Sequence, residues 1–429
     1  MSNLAEKPTL KKVGEIFQIN NLSIPYYQRP YSWNEKNVNQ LIDDLIFFME
    51  QGKKEYRLGN LILHNDKSKL DIVDGQQRIT TLCILLYLLD LETEKISFLK
   101  SNFNSNLSIN KILENKETIE NKLKGLDKIK KEKLKSFILD SCEFVYIVLS
   151  NLSEAFQLFD SQNARGKSLE SYDLLKAFHL REMENEPESE KLECVKKWEK
   201  YVDNRRIGII LGNNLFRIRK WSNKDDAYYL DKDAIGEFKG ISINEVKKYP
   251  YLKGYLLNIH LVEDLSKNSL LNSLDYKIDF PFQINQTIIN GKYFFKYVYH
   301  YAELFDKLFF DENSSFYKFY KEYTNYDGSW RQGDNYVKEM FQAGIITYYD
   351  KFGEVDFEEK SKELYKWAYV LRLKLSRVSY LSINKYVKQD NQFEKIAKSY
   401  YPYELFKVSS RLPDEIKMEI PKVKNFYKK

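Results

Sequence analysis

The sequence predicts a helix-rich α+β fold with two or three domains, and three observations support this prediction. The chain has 429 residues, of which 43% are hydrophobic and 15% aromatic, enough for more than one buried core. Only 16 glycines and 9 prolines are available for turns, so long helices should predominate. The clearest β-prone runs lie within the first 150 residues. We therefore expect an α+β domain at the N-terminus and a mostly helical domain after it.

The first elements should be an extended loop and a helix. Ser32 and Glu35 form a capping-box pattern, and apolar residues then recur at helical spacing. This pattern predicts a helix over about 34–51. The residues before it, 24–31, should form an extended entry loop.

A hairpin and a buried helix should follow. Two short β-prone runs, 61–64 and 70–73, are joined by an Asn-Asp-Lys-Ser turn and predict a hairpin. Asp74 and Gly75 then turn the chain into an apolar run over 79–91, which predicts a buried helix.

The next segment is rich in lysine. Between Lys95 and Asp140 there are 11 lysines against 6 acidic residues, whereas the whole chain has a net charge of +6. Its weak apolar periodicity predicts a helical insertion, over about 95–140, with a solvated face. A third strand is expected at 144–149.

A charged stretch that contains Pro187 separates a helix around 174–180 from the rest of the chain. It predicts a boundary between an N-terminal domain, 1–186, and a mostly helical C-terminal domain, 187–429.

The cysteines and the apolar stretches indicate a cytoplasmic protein. Cys83, Cys142 and Cys194 form no C-x-x-C pair, which is typical of a reducing compartment. The segment Met1–Lys12 lacks the apolar core of a signal peptide, and 79–91 is too short to span a bilayer.

One loop-to-helix junction has the residues of an anion site. Arginine is scarce, with 13 against 55 lysines, and three arginines lie in predicted loops: Arg29, Arg78 and Arg165. In the run Asp74–Arg78 (DGQQR), a strand end, a glycine turn and a helix start bring free N–H groups, two amides and a guanidinium together. Phosphate suits such a site. The same spacing also fits an ordinary helix capped by Asp74 with Arg78 in a surface ion pair, and the residues alone leave both interpretations open.

Three motifs resemble the N-terminal domain of GmrSD-type modification-dependent restriction systems, which is itself similar to the ParB and sulfiredoxin fold. They are residues 24–33 (IPYYQRPYSW), 72–82 (IVDGQQRITTL) and 159–169 (FDSQNARGKSL), followed by Asp173-Leu174-Leu175-Lys176. In this order and spacing they cover about residues 10–185.

The resemblance implies a nucleotide-binding and hydrolysing module in bacterial defence against foreign DNA. Asp74, Gly75, Gln76, Gln77 and Arg78 match the nucleotide motif residue by residue. In this reading Arg78 stabilises the phosphates, Asp74 holds Mg²⁺ or orients the attacking water, and Gln77 positions that water.

Further residues are assigned to the same pocket or to DNA. The Tyr-Gln-Arg-Pro loop would line the pocket or read a DNA modification, and the Asn-x-Arg-Gly loop would close the other side. The nucleotide-binding set comprises Gly75, Gln76, Thr80, Thr81, Gln28, Arg29, Asn163, Arg165, Gly166 and Lys167, and the DNA-reading set comprises Tyr27, Gln28 and Trp33.

Two arginines of the second domain are candidate DNA contacts. Arg217 and Arg219 have aromatic residues interleaved with them, a pattern that fits contacts with a phosphate backbone. Alternating charges on a solvated edge would produce the same pattern, and this alternative remains open.

Complete members of the group carry a His-Asn-His nuclease or work with a subunit that has one. The four histidines here, His64, His179, His260 and His300, show no spacing that would build such a site, and a packed or solvated role suits His64 and His179. The expected partners are a nucleoside triphosphate with Mg²⁺, DNA with or without a modification, and a separate nuclease subunit. A second copy of the chain is a further option.

Two other functions also fit the sequence. One is a DNA-binding module whose Asp74–Arg78 pocket holds only the phosphate backbone. The other is a DNA endonuclease whose metal site consists of carboxylates alone.

Overall fold

The computed structural model describes residues 7–25, 28, 30–66, 69–91, 106–150, 170–183, 186–268, 270, 273, 282–405 and 412–428. The chain divides into two compact units. Unit 1 comprises Met1–Leu169 and Met183–Asp203, and unit 2 comprises Glu170–Glu182 and Asn204–Lys429.

Unit 1 contains a mixed five-stranded sheet. Its strands lie in the order β1-β5-β3-β4-β2, with the bounds β1 (Thr9–Lys12), β2 (Leu22–Ser23), β3 (Tyr56–Asp66), β4 (Lys69–Asp74) and β5 (Cys142–Leu149). The strands β3 and β4 are antiparallel, with Leu63 opposite Ile72, so the predicted hairpin is confirmed. The central pair β3 and β5 is parallel, β1 is antiparallel to β5, and β2 is parallel to β4.

Helices pack beside this sheet. They are α1 (Val13–Phe17), α2 (Glu35–Glu50), α3 (Gln76–Leu88), α4 (Asn106–Lys124) and α5 (Lys128–Asp140). The predicted helix over 34–51 is confirmed as α2, but its cap differs. Asn34, not Ser32, caps it by accepting the N–H of Asn37 at 3.1 Å. Asparagine caps a helix as well as serine does, so the capping residue lies two positions later than the capping-box pattern indicates.

The lysine-rich segment is helical over its described part, and it also contributes to the core of unit 1. Ile119 of α4 and Leu134 and Ile138 of α5 are fully buried in the cluster that includes α2 and α3. Because α4 packs on both α2 and α3, the predicted insertion is an integral layer of the unit.

Unit 2 is helical in its described part, apart from an isolated bridge between Ile241 and Ile289. Three consecutive pieces form one long helix: α8 (Arg206–Gly208), the π-helix Ile209–Phe216 and α9 (Arg217–Ser222). The remaining α-helices are α10 (Ile243–Val246), α11 (Pro250–Ser266), α12 (Lys292–Phe310), α13 (Ser315–Thr324), α14 (Gln332–Phe352), α15 (Phe357–Lys374), α16 (Tyr380–Gln389), α17 (Gln392–Lys398) and α18 (Pro421–Lys428). The helix-rich α+β class predicted from the sequence is confirmed.

Two helices near the middle of the sequence are α6 (Ser171–Arg181) and α7 (Glu188–Asp203). Each belongs to the unit that is formed mainly by the residues beyond the other helix. Helix α6 belongs to unit 2, although it precedes the boundary expected after Glu186, and α7 belongs to unit 1, although it follows that boundary. Whether residues 1–186 and 187–429 fold as separate domains stays a prediction.

His179 shows how α6 is held in unit 2. Its Nδ1 accepts the N–H of Gly291 at 3.2 Å, so Nε2 carries the proton and donates to the Phe238 carbonyl at 3.0 Å. The ring stacks on Phe294 with 3.6 Å between centroids. Burial lowers the pKa of His179 well below its usual value, which keeps the imidazole neutral. The packed role expected for this histidine is confirmed.

Among the described helices, none combines the length and the apolar composition needed to cross a membrane.

Candidate functional site

The junction between β4 and α3 is a glycine turn. Gly75 has a φ of 100°, and a Cβ at this position would lie 3.1 Å from the Asn60 carbonyl oxygen. Only glycine therefore fits here without strain. Asp74 accepts the N–H of Gly75 at 2.8 Å, and α3 begins at the next residue, Gln76.

The start of α3 has no side-chain cap. The N-cap position is Gly75, which has no side chain to cap the helix, and the hydrogen bond that Asp74 accepts from the Gly75 N–H lies one residue before the first turn. The first N–H groups of a helix have no acceptor within the helix and carry its positive partial charge. The alternative interpretation, an ordinary helix capped by Asp74, is therefore not what the structure shows.

Arg78 lies against a second glycine. A Cβ at Gly59, whose φ is 109°, would lie 3.1 Å from Nη1 and 3.3 Å from Cζ of Arg78. The register of β3 against β5 shifts at this point, between Arg57 and Asn60. No hydrogen bond or ion pair joins the guanidinium to another residue in the described part of the chain. The surface ion pair of the alternative interpretation is thus missing there, and the guanidinium fork is available to an anion.

Two polar side chains of α3 are buried without partners. Gln76 and Thr80 are one helical turn apart and are 4% and 2% exposed. Within the described structure, neither the Gln76 Oε1 nor the Thr80 Oγ1 atom has a hydrogen-bond partner. Because buried polar atoms nearly always have a partner, these two atoms indicate a place that water or a ligand fills.

Gln77 has a different environment from Gln76. Its Oε1 accepts the N–H groups of Ser32 at 2.9 Å and Trp33 at 3.2 Å, and its Nε2 donates to the Pro30 carbonyl at 3.2 Å. Both ends of the amide therefore hold residues Pro30–Trp33, the described end of the entry loop. The prediction that Gln77 positions a water needs correction, because in this conformation its carbonyl oxygen is already occupied.

Thr81 is also engaged inside the protein. Its side chain is fully buried, and its hydroxyl bonds the Tyr31 hydroxyl at 2.8 Å and the Gln77 carbonyl at 2.9 Å. It does not face the same environment as Thr80. The nucleotide-binding role predicted for Thr81 is therefore replaced by a contact with the entry loop.

Gln28 and Trp33 contact the rest of unit 1. Gln28 Nε2 donates to the carbonyls of Ile72 at 2.8 Å and Val73 at 2.5 Å, so it braces the end of β4 just before Asp74. Trp33 is half-buried and packs against the core. Gln28 thus lies beside the strand end that precedes Asp74, and the Trp33 backbone lies beside Gln77. The roles predicted for Gln28 and Trp33 in binding nucleotide or DNA stay predictions. Six predicted site residues lie outside the described part: Tyr27, Arg29, Asn163, Arg165, Gly166 and Lys167.

Arg217 is an internal residue of unit 2. It is 1% exposed, its Nη1 donates to Glu339 at 2.6 Å, and the Tyr380 ring lies 4.3 Å from its Cζ atom. A phosphate would have to displace a carboxylate from a buried ion pair to reach it. The prediction that Arg217 contacts DNA is therefore wrong for this structure.

Arg219 is engaged in the same way. It donates to Glu237 at 2.8 Å and to the carbonyls of Ile284 and Gln286 at 2.7 and 2.9 Å. Its fork is used within unit 2, so the predicted DNA contact is not available to it either.

Sequence reasoning missed three residues near the site. Gly59 could have been found from the sequence, because a glycine within a predicted strand indicates a bulge or a close approach of another group. Ser108 and Asn115 of α4 form hydrogen bonds with the entry loop. The sequence indicates them only weakly, as two polar residues on an otherwise apolar helix face.

Asp74 is the candidate Mg²⁺ ligand. The described residues contain no group of three His, Cys, Asp or Glu side chains arranged to hold a metal ion. Mg²⁺ that arrives with a nucleotide needs only one or two carboxylates besides phosphate and water oxygens. A single carboxylate at the turn fits that requirement.

Two family models match this chain. Residues 13–180 match the family model described as GmrSD restriction endonuclease, N-terminal domain, so the chain carries a GmrSD-type N-terminal domain, as its motifs predict. Residues 190–425 match a family of unknown function (DUF7834), and because this match spans more than half of the chain, the protein belongs to that family. A search of curated proteins finds no match. The protein is thus related to restriction systems.

Proposed function

We propose that the protein is a nucleotide-binding and hydrolysing sensor or regulatory subunit of a bacterial DNA-restriction or anti-phage system. It acts in the cytoplasm with a separate nuclease. The observation that carries this proposal is the start of α3: an uncapped helix N-terminus, a guanidinium without a described partner and two buried, unpartnered oxygens. All of them lie between Gly75 and Thr80.

These groups suit a polyphosphate. Free N–H groups at a helix N-terminus bind phosphate oxygens, and the fork of Arg78 matches two oxygens at once. Gln76 also has an amide N–H₂ group that can donate to a phosphate, and the Thr80 hydroxyl can donate as well. A nucleoside triphosphate presents enough phosphate oxygens to accept hydrogen bonds from all of these donors.

The proposed division of roles follows from these positions. Arg78 stabilises charge on the transferred phosphoryl group, and Asp74 holds Mg²⁺, which neutralises the phosphate charge when it is bound. Gln77, Gln28 and Thr81 keep the surrounding loop and strand end in place.

Nucleotide turnover tests the proposal. Phosphate release by the purified full-length chain is measured with ATP, GTP, CTP and UTP in the presence of Mg²⁺. Arg78→Ala should lower turnover of the preferred nucleotide by about 10²- to 10³-fold, the usual effect of losing one donor to the transition state.

The matched control is Arg331→Ala, an exposed arginine of unit 2, which should leave turnover unchanged. Circular dichroism checks that both variants fold. Full turnover in the Arg78→Ala variant, or no turnover of any of these nucleotides by the wild type, would contradict the proposal and favour a DNA-binding module without catalysis.

A further inference from the structure

The described end of the entry loop, Pro30–Trp33, is held by hydrogen bonds to side chains rather than to backbone groups. Three successive N–H groups, of Tyr31, Ser32 and Trp33, each donate to a side-chain oxygen. The acceptor for Ser32 and Trp33 is Gln77 of α3, and the acceptor for Tyr31 is Ser108 of α4, at 2.8 Å. The position of this loop therefore depends on two helices that are distant from it in the sequence.

Helix α4 contributes two buried polar residues to this loop. Ser108 and Asn115 are seven residues apart, which places them on the same face two turns apart, and they are 3% and 1% exposed. Asn115 Nδ2 donates to the Trp33 carbonyl at 2.8 Å and to the Tyr31 hydroxyl at 3.0 Å. The same face carries the apolar residue Ile119, which is fully buried.

A polar side chain on a buried face lowers stability unless it is hydrogen-bonded. Among the described residues, the side-chain hydrogen bonds of Ser108 and Asn115 all go to Tyr31 and Trp33 of the entry loop. Tyr31 completes the connection, because its buried hydroxyl lies between Thr81 of α3 and Asn115 of α4. Burial raises the pKa of this hydroxyl, although its hydrogen bonds to Thr81 and Asn115 act in the opposite direction, so it stays protonated.

We infer that Ser108 and Asn115 are positioning residues of the candidate nucleotide site. They fix the loop Pro30–Trp33 against Gln77, on the first turn of α3, and so keep the neighbouring groups Gln76 and Arg78 in their binding arrangement. The link to nucleotide rests on the proposed function. The effect of Ser108 and Asn115 on the loop does not rest on the proposed function, so the effect on the loop and the link to nucleotide are tested by separate measurements.

Hydrogen exchange in the full-length chain without nucleotide tests the effect on the loop. Asn115→Asp keeps the size of the side chain and replaces its N–H₂ donor by an oxygen, which repels the Trp33 carbonyl. We expect the amides of residues 31–33 to exchange about tenfold faster, as loss of one buried hydrogen bond would produce.

The matched control is Asn121→Asp, which adds the same charge to an exposed position of the same helix, where Asn121 accepts from Lys124. It should leave the exchange of residues 31–33 unchanged. Ser108→Ala is a second, smaller change that removes only the Tyr31 acceptor and should act in the same direction. Equal acceleration throughout α2 and α3 would show a loss of overall stability and overturn the inference, as would unchanged exchange at residues 31–33.

The second measurement is the KM for ATP or GTP, whichever the wild type hydrolyses faster. Asn115→Asp should raise KM by about fivefold with a smaller change in kcat, because the loop positions the binding groups and does not take part in the chemistry. A faster-exchanging loop with unchanged KM would overturn the link to the site. Absence of wild-type turnover would overturn the proposed function and this link together, while the exchange rates would still decide whether α4 positions the loop.

Discussion

Two neighbouring glutamines show how far adjacent residues can differ in role. Successive residues of a helix point about 100° apart, so Gln76 and Gln77 face different surroundings. Gln77 makes three hydrogen bonds to the entry loop, whereas the Oε1 atom of Gln76 is buried with no partner in the described structure. Gln77 is needed to hold the loop, and Gln76 is available to a ligand.

Substitution should therefore separate stability from binding at these two positions. Gln77→Ala leaves the N–H groups of Ser32 and Trp33 without acceptors and should lower the free energy of unfolding by about 1–3 kcal/mol. Gln76→Leu removes an unpartnered oxygen and should change that free energy by less than about 0.5 kcal/mol, yet weaken ATP or GTP binding. Urea unfolding and titration calorimetry measure the two quantities. A destabilised Gln76→Leu variant with normal binding would contradict this assignment.

At the scale of elements, we predict that α5 of unit 1 contacts DNA through its lysines. Two of its lysines pair with carboxylates: Lys130 with Glu50 at 3.1 Å, and Lys135 with Glu132 at 3.4 Å. Three others form no ion pair with a described residue: Lys128, Lys131 and Lys133. A lysine without a carboxylate partner can replace the counterions of a phosphate backbone without first breaking an ion pair.

We predict that these three lysines set the salt dependence of DNA binding. Replacing all three by glutamine should flatten the slope of log K against log salt by about 0.9 for each lysine that contacts a phosphate. The control replaces Lys122, Lys130 and Lys135, which removes the same charge from lysines that are already paired, and should flatten the slope less. Fluorescence anisotropy with duplex DNA measures both. Equal slopes for the two triple variants would exclude a specific role for these three lysines.

At the scale of the whole molecule, helices α6 and α7 each belong to the unit formed mainly by the residues beyond the other helix. Helix α6 is tied into unit 2 through the contacts of His179 with Phe238, Gly291 and Phe294. Helix α7, which follows it in the chain, is part of unit 1. A break between the two helices gives an N-terminal fragment that ends with α6, a helix of unit 2, and a C-terminal fragment that begins with α7, a helix of unit 1.

A chain cut between α6 and α7 should therefore stay associated. A protease recognition sequence inserted next to Pro187 allows the purified protein to be cut there. The two fragments should elute together from a gel-filtration column and separate only in denaturant, because buried α6 and α7 side chains hold them. Elution as two separate species at micromolar concentration would contradict the prediction. The uncut protein with the same insertion is the control.

The sequence by itself determined the local features of this protein. The spacing of apolar residues predicted α2, and the apolar run over 79–91 predicted the helix that the structure has as α3, three residues earlier at each end. Two β-prone runs around a polar turn predicted the hairpin of β3 and β4, and Asp74-Gly75 predicted the turn at the site. Each of these depends on residues a few positions apart, whose side chains meet on one face of an element. The resemblance of the motifs to the GmrSD-type N-terminal domain has the same basis, and the family match confirms it.

Only the tertiary structure decided which polar groups are used inside the protein and which stay available. Arg217 meets Glu339, 122 positions further along the chain, and Tyr31 meets Ser108, 77 positions away. Local sequence does not encode such pairs, because the partner is chosen by how the elements pack. For this reason an arginine with the pattern of a DNA contact proved to be buried and paired. A glutamine expected to act on water, Gln77, proved to hold a loop.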